Sequence, residues 1–500
     1  MKKHYFLLAL ILFATFIFRF PSLFEPFWYG DEGIFAAVAR NLNFGGVLYQ
    51  DAWDNKPPMI YLSYQLIFNF FGVSMFWLRL AAAIVVMAAA VVIYEIAQKV
   101  LGKKRALVAT LAFGFLTSLR LVEGNLALTE IFMILPISLA MMIAILKKFD
   151  YPSLFAAGIL LAIGSLYKQV GVFEAAALGI FLFFYIQKFP EFLRRGLVLT
   201  SGFTVPFLIF IAYFAPKNLV GEYIFAAYTY YQIYLGESPR YALLVNALKF
   251  APIVAAVIYG IWKKTKGKVE LFHLFLLWTA FSFLGSYFSS RTYGHYLVQA
   301  TPAVSLLLAS LNLRPIITRA RLKFGISFFV PLIFLTKLLF TDFLSGGPLN
   351  QIKYWGNFWE FASGKIGTDQ YNDFFDRNVN SVAAVADFFE TNKRSFSTNK
   401  RSFSTNKAGD STAYIWGDLP WLYAVADLKN PSRYVTSFHV FGVPNGREEV
   451  MGDLAAKAPK YIIKTPSSIG YFAELEKLIA EGYTLRSKVE DVAIFVKRGE

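Results

Sequence analysis

The chain has 500 residues, of which 56% are hydrophobic, 18% aromatic and only 16% charged, and its formal net charge is +16. Apolar runs of about twenty residues recur along it, which is typical of a mainly α-helical protein that crosses a membrane several times. The basic residues lie in short loops and not on one face or arm, so nucleic acid is not an expected partner. The chain has no cysteine, which excludes disulfides and thiolate metal sites.

The apolar runs predict about eleven transmembrane helices. The first run follows Met1-Lys2-Lys3, and because no small-residue cleavage site comes after it, we expect an uncleaved helix. Placing the basic loops in the cytoplasm makes the runs alternate in direction, with the amino terminus inside and the carboxyl terminus outside the plasma membrane. The predicted spans are 5–20, 76–98, 106–122, 126–146, 152–167, 170–187, 196–215, 241–262, 271–288, 296–312 and 324–342.

The first predicted outer loop carries two adjacent carboxylates, Asp31 and Glu32, at the start of an amphipathic stretch over 34–39. This stretch has the pattern of a helix that lies in the membrane interface. One interpretation is that Asp31 caps this helix. The other is that an acid here, partly shielded from water, is a general base that deprotonates a hydroxyl group and makes it a nucleophile.

Lys56 lies further along the same loop, directly before Pro57-Pro58. Basic residues are scarce in short outer loops, and two prolines make this segment stiff. Lys56 could simply extend along the interface toward water. Alternatively it belongs to an outer cationic set that binds a phosphate, which at this face of a membrane is expected to be that of a lipid carrier. The other members of that set are Lys168, Arg240 and Arg291.

Two more outer residues are candidates for the site. Glu130 lies at the outer end of a predicted span, and an acid at that depth usually has a charged partner or a function. His295, beside Tyr296, is equally consistent with an interface residue and with a ligand.

The composition changes after residue 342, where charged residues become frequent and apolar runs shorten to strand length. We therefore expect a membrane domain over 1–342 and an extracytoplasmic α/β domain over 343–500. Within the second, the predicted strands are 413–416, 433–438, 460–464 and 492–497, and the predicted helices are 378–390 and 470–481. A seven-residue unit repeats over 391–407 and predicts a disordered loop, with a polyanion-binding tail as the alternative.

In their order along the chain, the outer motifs resemble those of the polytopic GT-C glycosyltransferases. The resemblance is to the branch of protein O-mannosyltransferases, lipid A aminoarabinose transferases and Rgt-like bacterial enzymes, and it covers roughly residues 1–310. The motifs that carry it are Asp31-Glu32, Asp54-Asn55-Lys56-Pro57-Pro58, Leu128-Thr129-Glu130, Tyr167-Lys168-Gln169 and Arg291 to Tyr296.

The resemblance implies an inverting hexosyl- or pentosyltransferase that moves a sugar from a polyprenyl-phosphate donor to a hydroxyl of a lipid, glycan or protein acceptor outside the membrane. It implies that Asp31 is the base, that Lys56 contacts the donor phosphate and that Glu130 is a second acid of the cavity. The remaining candidates are Glu32, Lys168, Arg240, Arg291 and His295.

Two departures separate the chain from the aminoarabinose-transferring branch. Ile34 stands where that branch has an arginine, and Asn55 stands where it commonly has an acid. Oxygen atoms of Asp31, Glu32 and Glu130 could bind a divalent cation, but Asn55 removes one ligand and no metal is assigned.

The alternative to a glycosyltransferase is a membrane transporter, or a flippase or polymerase of lipid-linked surface polysaccharide. A transporter should show repeated halves and polar groups near mid-membrane, whereas the polar residues of this chain cluster at the outer ends of the spans.

Overall fold

A computed structural model of the chain describes residues 2–234, 242–289, 291, 293–311, 350–398, 412–466 and 468–499. These residues are mainly helical and include one small sheet. The α-helices are α1 (Lys2–Arg19), α2 (Gly30–Asn43), α3 (Met59–Phe71), α4 (Met75–Leu101), α5 (Lys103–Leu116), α6 (Thr129–Leu146), α7 (Tyr151–Tyr167), α8 (Val172–Tyr185), α9 (Phe189–Phe214), α10 (Val220–Ile224), α11 (Tyr230–Tyr234), α12 (Ala242–Thr265), α13 (Leu271–Tyr287), α14 (Thr301–Ser310), α15 (Gln351–Ala362), α16 (Thr368–Asp373), α17 (Val379–Thr398), α18 (Trp421–Val425), α19 (Ser437–Gly442), α20 (Gly446–Lys457) and α21 (Ala473–Gly482). The strands are β1 (Ala413–Trp416), β2 (Tyr461–Lys464), β3 (Tyr483–Val489) and β4 (Val492–Lys497).

The apolar helices are those of a multi-pass membrane protein. Each span predicted before residue 313 overlaps a helix, although the helices within 106–122 and 296–312 are shorter than predicted, and the span predicted over 324–342 lies outside the described residues. Within the described residues, four helical segments are long and apolar enough to cross a bilayer: Lys3–Phe24, Met75–Leu101, Thr129–Leu146 and Phe189–Lys217. Shorter apolar helices are Met59–Phe71, Tyr151–Tyr167, Gln169–Tyr185 and Leu271–Tyr287.

The described residues cluster into two compact units. The first unit consists of the described parts of Met1–Leu23, Arg79–Phe214 and Leu235–Trp355. Within it α7 packs against α6 and α9, and α13 packs against α8, α12 and α14. Glycines allow α7 and α9 to approach closely, because a Cβ at Gly158 or Gly202 would lie 2.2 or 2.1 Å from a carbonyl oxygen of the other helix. Small residues permit such close packing of helices in membranes.

The second unit consists of the described parts of Phe24–Leu78, Ala215–Tyr234 and Gly356–Glu500. It therefore combines the first predicted outer loop with the C-terminal region. In this unit α2 packs against α3 and α18. The start of α2 is fixed to α18, because the indole nitrogen of Trp421 donates to the Tyr29 carbonyl oxygen at 3.0 Å. Gly33 makes this approach sterically feasible, since a Cβ there would lie 2.8 Å from the Trp421 ring.

The sheet of the second unit has the strand order β1-β2-β4-β3. β1 and β2 are parallel, whereas β4 is antiparallel to both β2 and β3. The predicted strands at 413–416, 460–464 and 492–497 are confirmed as β1, β2 and β4. The predicted helices at 378–390 and 470–481 correspond to α17 and α21, and the sequence pattern missed β3.

The strand predicted over 433–438 is wrong. Tyr434 forms only a single parallel bridge, with Trp53. The chain then turns into α19 because the Thr436 side chain accepts a hydrogen bond from the His439 amide and caps the helix. Helix α17 continues past the predicted end at residue 390 and includes the first copy of the seven-residue repeat, while residues 399–411 lie outside the described residues.

Candidate active site

Asp31 and Glu32 lie in the first turn of α2. The N-cap residue of this helix is Tyr29, and no side chain caps it, so Asp31 is not a helix cap. Glu32 is fully buried, whereas Asp31 is partly exposed. Among the described residues, the Asp31 carboxylate makes no hydrogen bond or ion pair. Neither of its oxygens is therefore engaged by another described side chain or backbone group.

The loop that carries Lys56 is held by a buried polar group. Tyr61 donates its hydroxyl to Asp54 Oδ2 at 2.7 Å, and His439 Nε2 lies 3.3 Å from Asp54 Oδ1. Tyr49 donates its hydroxyl to the Lys56 carbonyl oxygen at 2.8 Å. The ammonium group of Lys56 donates to Asn55 Oδ1 at 2.7 Å. The backbone around Lys56 is thus fixed, while its side chain remains half-buried.

The C-terminal region contributes directly to this arrangement. The backbone amide of Trp53 donates to the Arg433 carbonyl oxygen at 2.8 Å, and the Trp53 ring packs against those of Tyr434 and His439. The guanidinium of Arg433 also binds Glu449 and Glu222. Residues that are far apart in the sequence therefore hold the loop of Lys56 in one conformation.

A chain of contacts links the helix of Asp31 to the loop of Lys56. Phe35 follows Asp31 by four residues and so lies on the same face of α2. Its ring packs against the Tyr61 ring with centroids 6.0 Å apart. The Tyr61 hydroxyl in turn accepts a hydrogen bond from the Lys56 backbone amide at 3.2 Å.

The charge of Asp54 makes the stability of this loop depend on pH. Burial alone would raise the pKa of Asp54, but Lys56, His439 and Tyr61 more than offset burial and hold this pKa well below its ordinary value. A depressed carboxyl pKa contributes stability that is present above the unfolded-state pKa of about 4 and lost as the pH falls below it.

We therefore expect Asp54→Asn to lower the melting temperature near neutral pH, and the difference from the wild type to shrink between about pH 5 and pH 3. The measurement is thermal unfolding in detergent across this range. Asp369→Asn, an exposed acid of the same unit, is the control and should follow the wild-type curve. A constant difference between wild type and Asp54→Asn at all pH values would contradict the ionic role of Asp54.

In the first unit, Glu130 and Lys168 form a buried ion pair. Glu130 lies in the first turn of α6 and also accepts a hydrogen bond from the Thr129 hydroxyl at 2.7 Å. Lys168 directly follows α7, where the backbone becomes extended and the helix ends. The Lys168 ammonium group lies 3.6 Å from the centroid of the Tyr296 ring, a cation–π contact.

His295 joins this ion pair to a second acid. Its Nδ1 lies 2.6 Å from Glu123 Oε2, and its Nε2 lies 4.0 Å from Glu130 Oε1. The side chain is buried, so it is not a residue of an exposed interface. Glu123 was not predicted as a site residue, although it lies in the same predicted outer turn as Glu130. The first unit thus brings together Glu123, Glu130, Lys168, His295 and Tyr296.

Two buried arginines hold the backbone on which these acids lie. Arg19 donates to the carbonyl oxygens of Thr117 and Gly124 at 2.7 and 2.8 Å. Arg79 donates to the Asn125 carbonyl oxygen at 3.0 Å. Charged donors make strong hydrogen bonds to carbonyl oxygens, and both side chains are almost fully buried. The segment between α5 and α6 is therefore rigidly positioned.

Two predicted residues remain, Arg291 and Arg240. Arg291 is half-buried in the segment that precedes the 3₁₀ helix Gly294–Ala300, and its backbone amide donates to Ser289 Oγ at 3.3 Å. Arg240 lies outside the described residues. In the described part of the chain, no group of three or more histidine, aspartate or glutamate side chains is arranged to hold a metal ion.

Comparisons with known proteins define the fold. Residues 55–217 match the family model of dolichyl-phosphate-mannose-protein mannosyltransferase. No curated protein matches the chain by sequence. Among solved structures, ArnT from Cupriavidus metallidurans bound to undecaprenyl phosphate is similar over 98% of this chain and 98% of its own, with a TM-score of 0.57 and 14% sequence identity. The chain therefore has the fold of ArnT, the GT-C fold.

Two further solved structures are similar to this chain. ArnT from the same organism in the apo state gives a TM-score of 0.55 at 14% identity and covers 97% of each chain. The Archaeoglobus fulgidus oligosaccharyltransferase tethered to an acceptor peptide gives 0.50 at 14% identity, over 93% of this chain and 69% of its own. The segment that matches the family model, residues 55–217, begins one residue before Lys56 and includes Glu130 and Lys168.

Proposed function

We propose that this GT-C chain is an inverting glycosyltransferase that moves a hexosyl or pentosyl group from a polyprenyl-phosphate donor to a hydroxyl group of a lipid, glycan or protein acceptor. The observation that carries the proposal is the full-length similarity to a structure whose bound molecule is undecaprenyl phosphate. The family model over 55–217, whose name refers to a dolichyl-phosphate-linked sugar, supports the same donor class.

The reaction assigns a defined task to Asp31. As the acceptor oxygen forms a bond to the anomeric carbon, its proton passes to the Asp31 carboxylate. The bond from the anomeric carbon to the phosphate oxygen breaks with its electron pair, and polyprenyl phosphate leaves. Attack opposite to the leaving group inverts the anomeric configuration. The availability of the Asp31 oxygens supports this role, and a correctly placed base is an effective catalyst.

The leaving phosphate gains negative charge, so cations that face it stabilise the transition state. We assign this role to Lys56, whose backbone is fixed by Tyr49 and Tyr61, and we include Lys168, Arg240 and Arg291 as candidates for the same phosphate. Glu130 and His295 orient Lys168 through the contacts of the first unit. Glu32 is a buried acid beside the base.

The proposal includes the membrane in which the protein lies and the orientation of its chain. The protein lies in the plasma membrane with its amino terminus in the cytoplasm, a membrane domain over 1–342 and an extracytoplasmic domain over 343–500. The positive-inside distribution of the basic loops supports this orientation. A transporter or flippase would move the intact donor across a bilayer, whereas the proposed enzyme separates the sugar from its carrier.

Substitution of Lys56 tests donor recognition. A charge-assisted hydrogen bond contributes about 1.5–3 kcal/mol, so we expect Lys56→Met to raise the KM for the donor roughly 10- to 100-fold, and Lys56→Arg to retain most of the affinity. The assay measures initial rates with a radiolabelled synthetic polyprenyl-phosphate sugar.

Lys488→Met, which removes an exposed lysine of the same unit, is the matched control and should leave the donor KM unchanged. A Lys56→Met protein with the wild-type donor KM and the wild-type turnover number would exclude Lys56 as a phosphate ligand.

A further inference from the structure

Glu174 is a fully buried acid of the first unit that the proposed reaction does not use. It lies in the first turn of α8. Its Oε1 atom accepts hydrogen bonds from the Ser282 hydroxyl at 2.9 Å and from the Gln299 side-chain amide at 2.8 Å. Ser282 belongs to α13 and Gln299 to the 3₁₀ helix Gly294–Ala300. One carboxyl group therefore joins three elements of the unit.

The surroundings of Glu174 favour the uncharged form of its carboxyl group. In the part of the chain that the structure describes, no basic side chain forms an ion pair with it, and its Oε2 atom has no hydrogen-bond partner. A carboxylate that is buried without a cation is so costly that the group takes up a proton instead. Since Oε1 accepts both hydrogen bonds, the proton belongs on Oε2, and Oε1 acts as a carbonyl oxygen.

The 3₁₀ helix that Glu174 holds also carries two contacts of the Glu130–Lys168 ion pair. The ring of Tyr296 lies 3.6 Å from the Lys168 ammonium group, and His295 Nε2 lies 4.0 Å from Glu130 Oε1. Side chains three residues apart eclipse each other in a 3₁₀ helix, so Tyr296 and Gln299 lie on one face. A shift of Gln299 would therefore also move the ring that contacts Lys168.

Helix α13 supports the 3₁₀ helix at two further points. The Ser286 hydroxyl donates to the Tyr296 carbonyl oxygen at 2.5 Å. Gly285 leaves room for Gln299, because a Cβ at this glycine would lie 2.5 Å from Gln299 Nε2. A larger residue at position 285 would push the amide away from Glu174. This link can therefore be broken without changing the acid itself.

We propose that Glu174, in its uncharged form, is a positioning residue that fixes the 3₁₀ helix and thereby holds Tyr296 and His295 against the Glu130–Lys168 pair. This role rests on the proposed function, in which Lys168 is a candidate ligand of the donor phosphate. Because Glu174 is fully buried, it acts through Gln299 and not on the substrate. The polar groups that orient Lys168 thus extend into the packed helices α8 and α13.

Glutamine and leucine at position 174 distinguish an uncharged acceptor from an ion. Glu174→Gln keeps a carbonyl oxygen for both donors, so kcat/KM for a synthetic polyprenyl-phosphate sugar should stay close to the wild-type value. Glu130→Gln makes the same change in a buried ion pair and should lower kcat/KM about tenfold or more. Glu174→Leu removes the acceptor of two hydrogen bonds, and we expect a roughly 5- to 20-fold decrease.

A double-mutant cycle tests whether Glu174 acts through Lys168. In the Lys168→Met background, Glu174→Leu should cause no additional decrease in kcat/KM, because the group that it positions is absent. Gly285→Ala keeps both charged residues, should reproduce the decrease seen in Glu174→Leu, and serves if Lys168→Met does not fold. Thr279→Val removes a buried hydroxyl that bonds within α13 and should match the wild type. The melting temperature shows that each variant is folded.

A wild-type kcat/KM in Glu174→Leu would overturn the role of Glu174 and leave the proposed glycosyltransferase intact. The same conclusion would follow from an equal loss in Glu174→Gln and Glu174→Leu, or from a Glu174→Leu effect that persists undiminished in the Lys168→Met background. Failure of the wild type to transfer sugar from any polyprenyl-phosphate donor would instead contradict the proposed function, and the role of Glu174 with it.

Discussion

Replacement of Asp31 by asparagine is expected to lower the turnover number for glycosyl transfer about 10²- to 10⁴-fold, the usual contribution of a general base. The amide keeps the size of the side chain but does not accept the proton of the attacking hydroxyl. Stability should change little, because Asp31 is partly exposed and its carboxylate makes no hydrogen bond or ion pair in the described part of the chain. Initial rates at saturating donor and the melting temperature of the same preparation give both quantities.

Asp369→Asn provides the matched control for this experiment, since it makes the same chemical change at an exposed acid of the same unit. Its turnover should equal that of the wild type. Asp31→Glu should restore part of the lost rate because it returns a carboxylate to the position. A wild-type turnover number in Asp31→Asn would show that another group, such as Glu32, is the base.

Removal of one member of the Glu130–Lys168 pair is expected to have the largest effect on stability. Breaking a buried ion pair leaves an uncompensated charge and costs about 3–5 kcal/mol. Both side chains are buried, and Glu130 is only 1% exposed. We therefore expect Glu130→Gln and Lys168→Met each to reduce the free energy of unfolding by roughly this amount. Unfolding in mixed micelles of detergent and SDS provides the measurement.

The double variant Glu130→Gln, Lys168→Met shows whether the two residues stabilise the protein as an ion pair or independently of each other. Because neither charge remains, its loss of stability should be smaller than the sum of the two single losses. Activity should not recover with stability if Lys168 binds the donor phosphate. Strict additivity of the two single losses would contradict the pair, and recovery of full activity in the double variant would exclude Lys168 as a phosphate ligand.

The candidate residues on the predicted outer side are recognisable in the sequence because charges are rare near apolar spans. Glu130 and Lys168 each lie at the end of a hydrophobic run, and the alternating topology predicts both on the same side. Their pairing in the structure is consistent with that prediction. The apolar runs before residue 313 also overlap helices in the structure, since the hydrophobic pattern alone is enough to indicate such helices.

The contribution of the C-terminal region could not be predicted. His439 lies close to Asp54 although the two are far apart in the sequence, and no local pattern relates them. The prediction of a strand over 433–438 was wrong for a related reason. The apolar residues there do not continue a sheet, because Tyr434 pairs with Trp53 of the first loop and Thr436 starts a helix. Tertiary contacts override local propensity in such segments.

The contacts of Trp53 and Asp54 also affect how the C-terminal region should be tested. Removal of residues 343–500 would leave both side chains without the partners that Arg433 and His439 provide. Loss of activity after truncation would therefore report the disturbed loop of Lys56 as well as any loss of acceptor binding. Point variants in the full-length chain separate these effects.

The most direct test of the central claim uses the purified full-length protein, a radiolabelled polyprenyl-phosphate sugar and a glycan acceptor. The proposed function predicts that polyprenyl phosphate appears in an amount equal to the sugar transferred, and that the product has the inverted anomeric configuration. In proteoliposomes, passage of the intact donor across the bilayer without cleavage would contradict it.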